Sequence, residues 1–544
     1  MAPHHLKLVT GNLYRSPLRL TEGLDGDPTA HRHSWDLGYH HAHRGKDPEP
    51  NNPHVADAKS YIAGYEASKK ETAAQGAPSQ VSSEPARIDR SDRPEQDIEP
   101  SMHLSLDDVP ESVGTLASTI AEHGGRALLI GGAVRDKLMG KEPKDFDIEV
   151  YGLDTDRLVS AMETHGDVDA VGKQFGVLKI VIGNEDFDVS VPRREVKTGP
   201  GHKDFDIIPD PSMTIKEAAK RRDFTMNTVA MDPHDGGVFD PYGGVDDIQN
   251  KILRATDPNV FIEDSLRILR GAQFAARFKM SVEPQTMELM KGASVELPNL
   301  PRERIGTEWR KLLMKGDKPS LGLDVMKETG ALQQLHPELD ALSEQGTWDQ
   351  TKAAVDRAVD LTRDSDPEIK QAVRYGALVH AVPTQGMAQR LHNTMDVSKD
   401  LSAKVETLVG EQGSVRDNMS DAEIRHMSHR MKQTKGSIEE LAQLTHAVRG
   451  DAGTQPAANL LQRAEALGVH RAPPRPLLQG RDLMQMGIKP GPHIGKVLKH
   501  VYNMQLDGHV VDDASAQAAA QEALTQREWD SSVLKLRRGG LNLL

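Results

Sequence analysis

The sequence predicts a small mixed α/β head followed by a long all-helical remainder, with a polar, disordered extension in front. Three observations predict this class. Short apolar or alternating runs that read as strands are confined to residues 126–191. After Asp257, apolar residues recur at helical spacing almost throughout. In the first hundred residues neither period is sustained.

A length of 544 residues corresponds to about three to five structural units at roughly 100–200 residues each. The expected units are a polar extension (1–103), an α/β head (104–235), a helical neck (236–316), a helical body (317–470) and a helical tail (471–544). The tail is entered through the Pro-rich joint Arg471 to Pro476. With 67 basic and 81 acidic side chains the net charge is −14, which excludes a scaffold-wide basic grip on nucleic acid and leaves room for a local basic groove. An aromatic content of 4% argues against base stacking as the main binding device. The absence of cysteine excludes disulfides, thiolate catalysis and Cys-based metal sites, and suits a reducing compartment. No apolar run is long enough to span a membrane, and Met1 to Ser16 lack an apolar signal core. The expectation is a cytoplasmic protein.

The elements follow in chain order. The extension holds His31, His33, His40, His41 and His43, then a stretch from Gln75 to Glu99 dense in Gly, Pro, Ser and charge, with one short helix around Ala58 to Lys70. Such a segment buries too little surface to offset its ordering entropy, so its histidines read as a solvated tail in preference to a metal site. From Leu104 a helix is expected over Val109 to Ala121, a buried strand over Arg126 to Ile130, a helix over Ala133 to Met139 and a strand over Phe146 to Tyr151. Val177 to Ile182 and Phe187 to Val191 read as a hairpin turning at Gly183 to Glu185. Later helices are expected over Ile262 to Arg277, Arg302 to Lys315, Leu321 to Thr329, Thr351 to Leu361, Ala403 to Gly410 and Ile438 to Val448, broken by Pro284, Pro298, Pro301, Gly330 and Pro367.

Two glycines, Gly131 and Gly132, stand at a strand–helix junction, where a backbone can approach a phosphate closely. Arg135, one turn on, can add a charge-assisted bond, although a Gly-Gly pair also serves simply to turn the chain. Asp145 and Asp147 are placed on one face of a strand and repel unless a hard cation such as Mg²⁺ neutralises them. Asp188, on the hairpin, reaches the same place if an antiparallel neighbour brings it there. Three acids beside a phosphate-binding turn make a two-metal phosphoryl-transfer constellation. The Asp-Phe-Asp triplet recurs at Asp186 and at Asp204 to Asp206; the last reads as a solvated loop without a strand partner. Downstream, Lys220, Arg221 and Arg222 precede Asp223, and Asp223 and Asn227 lie one helical turn apart, able to share a ribose edge.

Taken together, GGAVRDKLMGKEPKDFDIEVYG, FGVLKI, RRDFTMNTVAMD, FDPYGGVDDIQNKILR and EDSLRILRGAQFAARF resemble, in that order, the class II tRNA nucleotidyltransferases, the CCA-adding enzymes. The resemblance runs strongly from Leu128 to Lys315, and Leu477 to Gly508 also resembles the end of the bacterial members. It implies a DNA-polymerase-beta-like nucleotidyltransferase head. It also implies Mg²⁺ as cofactor, CTP and ATP as substrates and the tRNA 3′ end as acceptor. Gly132 and Arg135 would hold the triphosphate, Asp145 and Asp147 the metal, and Asp188 would be the third acid. Arg222 would touch phosphate, and Asp223 and Asn227 the ribose. Asp264 and Arg267 would read the base, with Arg270 close by.

That last pair makes chemical sense. Cytosine and adenine both present an exocyclic amino group beside an unprotonated ring nitrogen, matching a carboxylate and a guanidinium. Guanine and uracil would leave both protein groups unpaired. Asp264 and Arg267, three apart, are expected on one helix face, where the plain alternative is an ordinary ion pair. The related poly(A) polymerases share the head, and the segment from Gly172 to Lys179 resembles the CCA-adding version. Candidate tRNA-backbone contacts are Arg302, Arg304, Arg310 and Lys311, together with Lys496 and Lys499, clusters that read equally well as a solvated surface. Gln273 departs from a third arginine common on the neck helix. The body resembles an HD-type phosphohydrolase whose ligands are lost, with Gln350 in place of a histidine and Ala381 after His380, so no hydrolase activity is expected.

Overall fold

The structure, a computed structural model, describes residues 98–169, 176–197 and 205–525. The expected extension lies outside the described residues as far as residue 97. The head contains β1 (Met102–His103), α1 (Glu111–Glu122), β2 (Arg126–Ile130), α2 (Gly132–Leu138), β3 (Asp147–Tyr151), α3 (Thr155–Met162), β4 (Asp167–Asp169), β5 (Val177–Ile182), β6 (Glu185–Ser190), β7 (Arg193–Lys197), β8 (Phe205–Pro209), β9 (Ala230–Met231) and β10 (Gly237–Phe239). Eight of these strands form one sheet in the order β1-β10-β9-β2-β3-β6-β5-β4.

β2 shows why the sheet has two different faces. Ala127 and Leu129 pack with Val113, Leu116 and Ile120 of α1 and with Leu158 and Met162 of α3. Leu128 and Ile130 point the other way, with Tyr151 and Phe239. Register places Ile130 opposite Asp147 and Leu128 opposite Glu149, so the acidic residues of β3 share the face that the two long helices leave uncovered.

Several expectations are corrected. The sheet includes Met102–His103 and Gly237–Phe239, both outside the span 104–235, because β10 pairs with β9 on one side and β1 on the other. β3 starts at Asp147, so Asp145 lies in the preceding loop and not on the strand. β3 and β6 run parallel, not antiparallel, with Asp147 opposite Asp188. Asp206 does not lie in an unpaired loop: it belongs to β8, which pairs antiparallel with β7 through Val196.

The remainder is helical. One hydrophobic core runs from Phe224 to Val469, joining the expected neck and body, while Leu478, Leu483, Val497, Val501 and neighbours form a separate core in the tail. Of the neck and body helices, α4 spans Leu266–Phe278, α5 Arg302–Lys315, α6 Trp348–Leu361 and α7 Pro367–Val379. Pro284 and Pro367, expected as breakers between helices, each stand at such a boundary as the first residue of a helix. Proline costs nothing in the first turn, where the backbone N–H has no helical partner anyway.

Candidate active site

β2 runs into α2 through Gly131, whose φ of +67° and ψ of −121° cap the helix in a conformation that glycine alone adopts comfortably. A Cβ there would sit 3.2 Å from Arg222 Nη1 and 3.8 Å from Asp147 Oδ2. The turn therefore needs glycine for both its torsion and the room it leaves for these two groups.

Burial pushes the Asp147 carboxyl up, Asp188 and Asp145 add to the rise, and Arg222 opposes it. Crowded carboxylates with an unfavourable negative charge are what a divalent cation relieves. Mg²⁺ commonly takes only one or two protein carboxylates and completes its shell with phosphate oxygens and water, so Asp145 and Asp147 fit it. Among the described residues no set of three acidic or histidine side chains converges as a ready-made metal cage. Asp188, although in register with Asp147, is half-exposed and faces Lys179 Nζ at 3.3 Å. Asp186 faces Val181 and lies before the first paired residue of β3.

The residues expected at the triphosphate and ribose bond to one another. Buried Arg135 donates from Nη1 to Asn227 Oδ1 at 2.8 Å and from Nε to Asp136 Oδ1 at 2.8 Å. Its guanidinium lies over the Phe278 ring at 4.8 Å. Asn227 Nδ2 donates to Asp223 Oδ1 at 2.8 Å, and Arg270 Nε donates to Asp223 Oδ2 at 2.6 Å. Burial pushes Asp223 up, but Arg270, Asn227 and the Phe224 N–H outweigh it and hold the carboxyl below its usual range. Residues 225–227 form a 3-10 turn, tighter than the helical turn expected. Arg222 Nη1 donates to the Asn227 carbonyl at 3.2 Å.

Asp264 and Arg267 do not share a helix face. Asp264 precedes α4 and its N-cap Ser265, and accepts from the Leu266 N–H at 3.1 Å, so its carboxylate is tied to the first residue of the helix that carries Arg267. Its other oxygen accepts from Arg304 Nη2 at 2.8 Å. Arg267 donates to the carbonyls of Val260 (2.6 Å) and Arg221 (2.7 Å).

These groups surround an open cleft of about 620 Å³ between the head and the helices α4 and α5. Gly131, Gly132, Arg135, Asp145, Asp147, Arg222, Asp223, Asn227, Asp264, Arg267 and Arg270 all line it; Asp188 does not. Gln273 and Arg277 of α4 and Arg304, Lys311 and Lys315 of α5 also line it. The α5 residues were legible as a stripe, since positions 304, 311 and 315 recur on one face of a 3.6-residue helix. Arg302, expected with them, pairs instead with Asp396 at 3.1 Å. Gly172 to Phe175, part of the segment that resembles the CCA-adding version, lie outside the described residues. In the body, His380 ends α7 with Nδ1 2.9 Å from the Ala377 carbonyl, and Gln350 is exposed on α6. Among the described residues no helix is long and apolar enough to cross a membrane.

Residues 127–254 match the family described as the Poly A polymerase head domain, and residues 279–342 match the probable RNA and SrmB-binding site of polymerase A. The Multifunctional CCA protein of Xanthomonas campestris pv. campestris is 34% identical over 405 residues, covering 68% of this chain and 95% of its own length. That of Methylobacillus flagellatus is 41% identical over 220 residues, 40% of this chain and 51% of its own. The fold is similar to that of the Bacillus stearothermophilus CCA-adding enzyme in complex with CTP, with a TM-score of 0.60 at 20% identity over 78% of this chain and 99% of that one. It is also similar to the Thermotoga maritima CCA-adding enzyme complexed with tRNA, with a TM-score of 0.56 at 20% identity over 77% and 97%. With a relative this similar over nearly its whole length, the chain belongs to the tRNA nucleotidyltransferase family that includes the Multifunctional CCA proteins.

Proposed function

We propose that this chain is a CCA tRNA nucleotidyltransferase of the cytoplasm, adding C, C and A to the tRNA 3′ end from CTP and ATP and releasing pyrophosphate. The observation that carries the reading is the cleft itself. The head contributes Asp145 and Asp147 to its lining beside the Gly131–Gly132 turn, and the helical side contributes Asp264 and Arg267. One nucleotide can therefore meet the carboxylates with its phosphates and the helical wall with its base. The tRNA 3′-hydroxyl attacks the α-phosphorus and pyrophosphate leaves.

Asp145 and Asp147 would hold Mg²⁺, which when bound would supply Lewis acidity for hydroxyl attack and pyrophosphate departure. Arg222 faces the phosphates over the glycine turn. The Arg135–Asn227–Asp223–Arg270 network ties the head to α4, so Asp223 and Asn227 act on the ribose through their remaining hydrogen-bonding positions. Asp264 accepts from the exocyclic amino group of cytosine or adenine, and Arg267 donates to the adjacent ring nitrogen. The basic stripe Arg304, Lys311 and Lys315 offers charge to an RNA backbone entering the cleft.

The test supplies purified protein with tRNA transcripts ending before CCA, after C and after CC, with Mg²⁺ and CTP, ATP or both. Products are resolved at single nucleotides beside an Asp145→Ala/Asp147→Ala control. Addition of C, C and A followed by a stop is the expected result. Growth from one starting end only identifies a CC- or A-adding specialist, and long A tails identify a poly(A) polymerase. Equal inertness of wild type and control, with tRNA still bound, identifies a binding protein.

A further inference from the structure

We propose that Glu149 is a positioning residue of this cleft, a buried charge that sets both Arg222 and the backbone from which Arg267 hangs. The proposal rests on the reading of the cleft given above. Glu149 lies two residues beyond Asp147 on β3, on the same face, and is 1% exposed. Its register partner is Leu128, and Ile130, Ala218 and Phe239 share that face. A carboxylate is an expensive residue there unless it is paired, and an apolar side chain would serve the sheet better.

Its oxygens are divided between two tasks. Tyr151 donates its hydroxyl to Oε2 at 2.7 Å, which fixes the carboxylate plane. Oε1 faces Arg221 Nη2 at 3.5 Å and Arg222 Nη2 at 3.7 Å. At these separations the attraction fixes where the Arg222 guanidinium sits without consuming it in a tight bidentate bond, so N–H groups remain for an anion. From that position Arg222 Nη1 reaches over Gly131. Arg221 passes the constraint on, because its carbonyl accepts from Arg267 Nη2 at 2.7 Å. One side chain on the metal-carboxylate strand thus faces the phosphate arginine directly and the base-reading arginine through one intervening residue.

The experiment compares wild type with Glu149→Gln, Tyr151→Phe and the apolar double variant Glu149→Val/Tyr151→Phe, which keeps the site packed if the glutamine variant folds poorly. Steady-state kinetics use tRNA ending before CCA with CTP and tRNA ending in CC with ATP, and UTP is added as competitor to CTP. The expected result is a KM for CTP and ATP raised roughly tenfold in both Glu149 variants, the size of one loosened charge-assisted contact. KM for tRNA stays unchanged, UMP incorporation rises, and Tyr151→Phe has a smaller effect. A folded Glu149 variant with wild-type KM and wild-type C-to-U selection overturns the proposal, because a purely structural role lowers stability or active fraction only. A wild type that adds no nucleotide overturns the parent reading instead. Calorimetric binding of CTP to the same proteins then decides Glu149 separately, equal Kd values overturning it and weaker binding by the variants supporting it.

Discussion

Arg304 Nη2 donates to Oδ2 of Asp264 at 2.8 Å while the Leu266 N–H holds Oδ1 of the same carboxylate at 3.1 Å. Both oxygens are oriented, yet each keeps a second lone pair, which the proposed reading of the base would use. The pair is about one-third exposed, so it contributes little to stability and acts through orientation. Replacing Arg304 with Met is expected to leave Tm nearly unchanged and to lower C-over-U selection by about tenfold, the range of one hydrogen bond to a charged group. Competition between CTP and UTP on tRNA ending before CCA measures it. Wild-type selection in the variant would mean that the Leu266 N–H alone suffices.

Asp147 gives a prediction in which stability and activity move in opposite directions. Its carboxyl is raised by burial and by Asp188 and Asp145. The folded state therefore holds that proton more tightly than the unfolded chain. The resulting stability is present at low pH and is lost as pH rises through the carboxylate's folded value. In metal-free buffer at neutral pH, Asp147→Asn is expected to raise Tm, with the gain shrinking as pH falls through the carboxylate range. Added Mg²⁺ should stabilise wild type and not the variant. Nucleotide addition should fall on the order of 10³-fold, since metal assistance contributes several kcal/mol to the transition state. Thermal melts at several pH values with and without Mg²⁺ check the first part, and single-turnover assays the second.

What the sequence made legible here was local. Alternation along Arg126 to Ile130 located a two-faced strand, and the Gly131–Gly132 pair located the turn with a positive φ that demands glycine. The same period placed Asp147, but it carried Asp145 into the strand, because periodicity does not mark where pairing ends. Long-range pairing was hidden. Nothing local distinguishes a parallel from an antiparallel β3–β6 contact, and nothing in the Asp264 segment announces a partner 40 residues on. A three-residue spacing suggested a shared helix face for Asp264 and Arg267, whereas an Asp just before a helix can turn back onto the helix's first N–H. Glu149 passed unnoticed because a single acid in an apolar strand declares its purpose only when Tyr151, Arg221 and Arg222 are seen around it.

Arg374 fastens the body to the neck helix. It is 4% exposed, and all of its acceptors are uncharged: Thr362 Oγ1 at 2.8 Å and the carbonyls of Leu313 (2.9 Å), Met314 (3.3 Å) and Val359 (3.4 Å). Two of these carbonyls end α5, where a cation also complements the helix dipole. Burial pulls the guanidinium down to about 10, still charged at neutral pH. Arg374→Met is expected to strand these acceptors at a cost of about 3 kcal/mol or more, lowering Tm by roughly 5 °C or more. Arg374→Lys should recover little, since an ammonium lacks the planar fork that reaches all four acceptors. KM for CTP at a permissive temperature should hold in both variants, because the contacts lie outside the cleft.

His336 makes the same helix sensitive to acid. It is fully buried and accepts at Nε2 from Trp309 Nε1 of α5 at 2.8 Å. That bond puts its proton on Nδ1, which has no hydrogen-bond partner; Glu338 Oε1 lies 4.0 Å away. Burial lowers its pKa to about 3 from 6.5. Between those values the unfolded chain binds the proton and the folded protein does not, so stability falls as pH is lowered through that window. From pH 7.5 to 5 the loss from this one group is about 2 kcal/mol. His336→Gln keeps an acceptor for the Trp309 N–H and removes the titration. The variant should melt below wild type at pH 7.5, because the amide fits the ring's space imperfectly, and should lose less on acidification, so that the two Tm curves converge toward pH 5. Parallel curves would show that acid sensitivity resides elsewhere. His336→Leu separates the two contributions: it also abolishes the titration but strands the Trp309 N–H, and should cost a further ~1–3 kcal/mol at every pH.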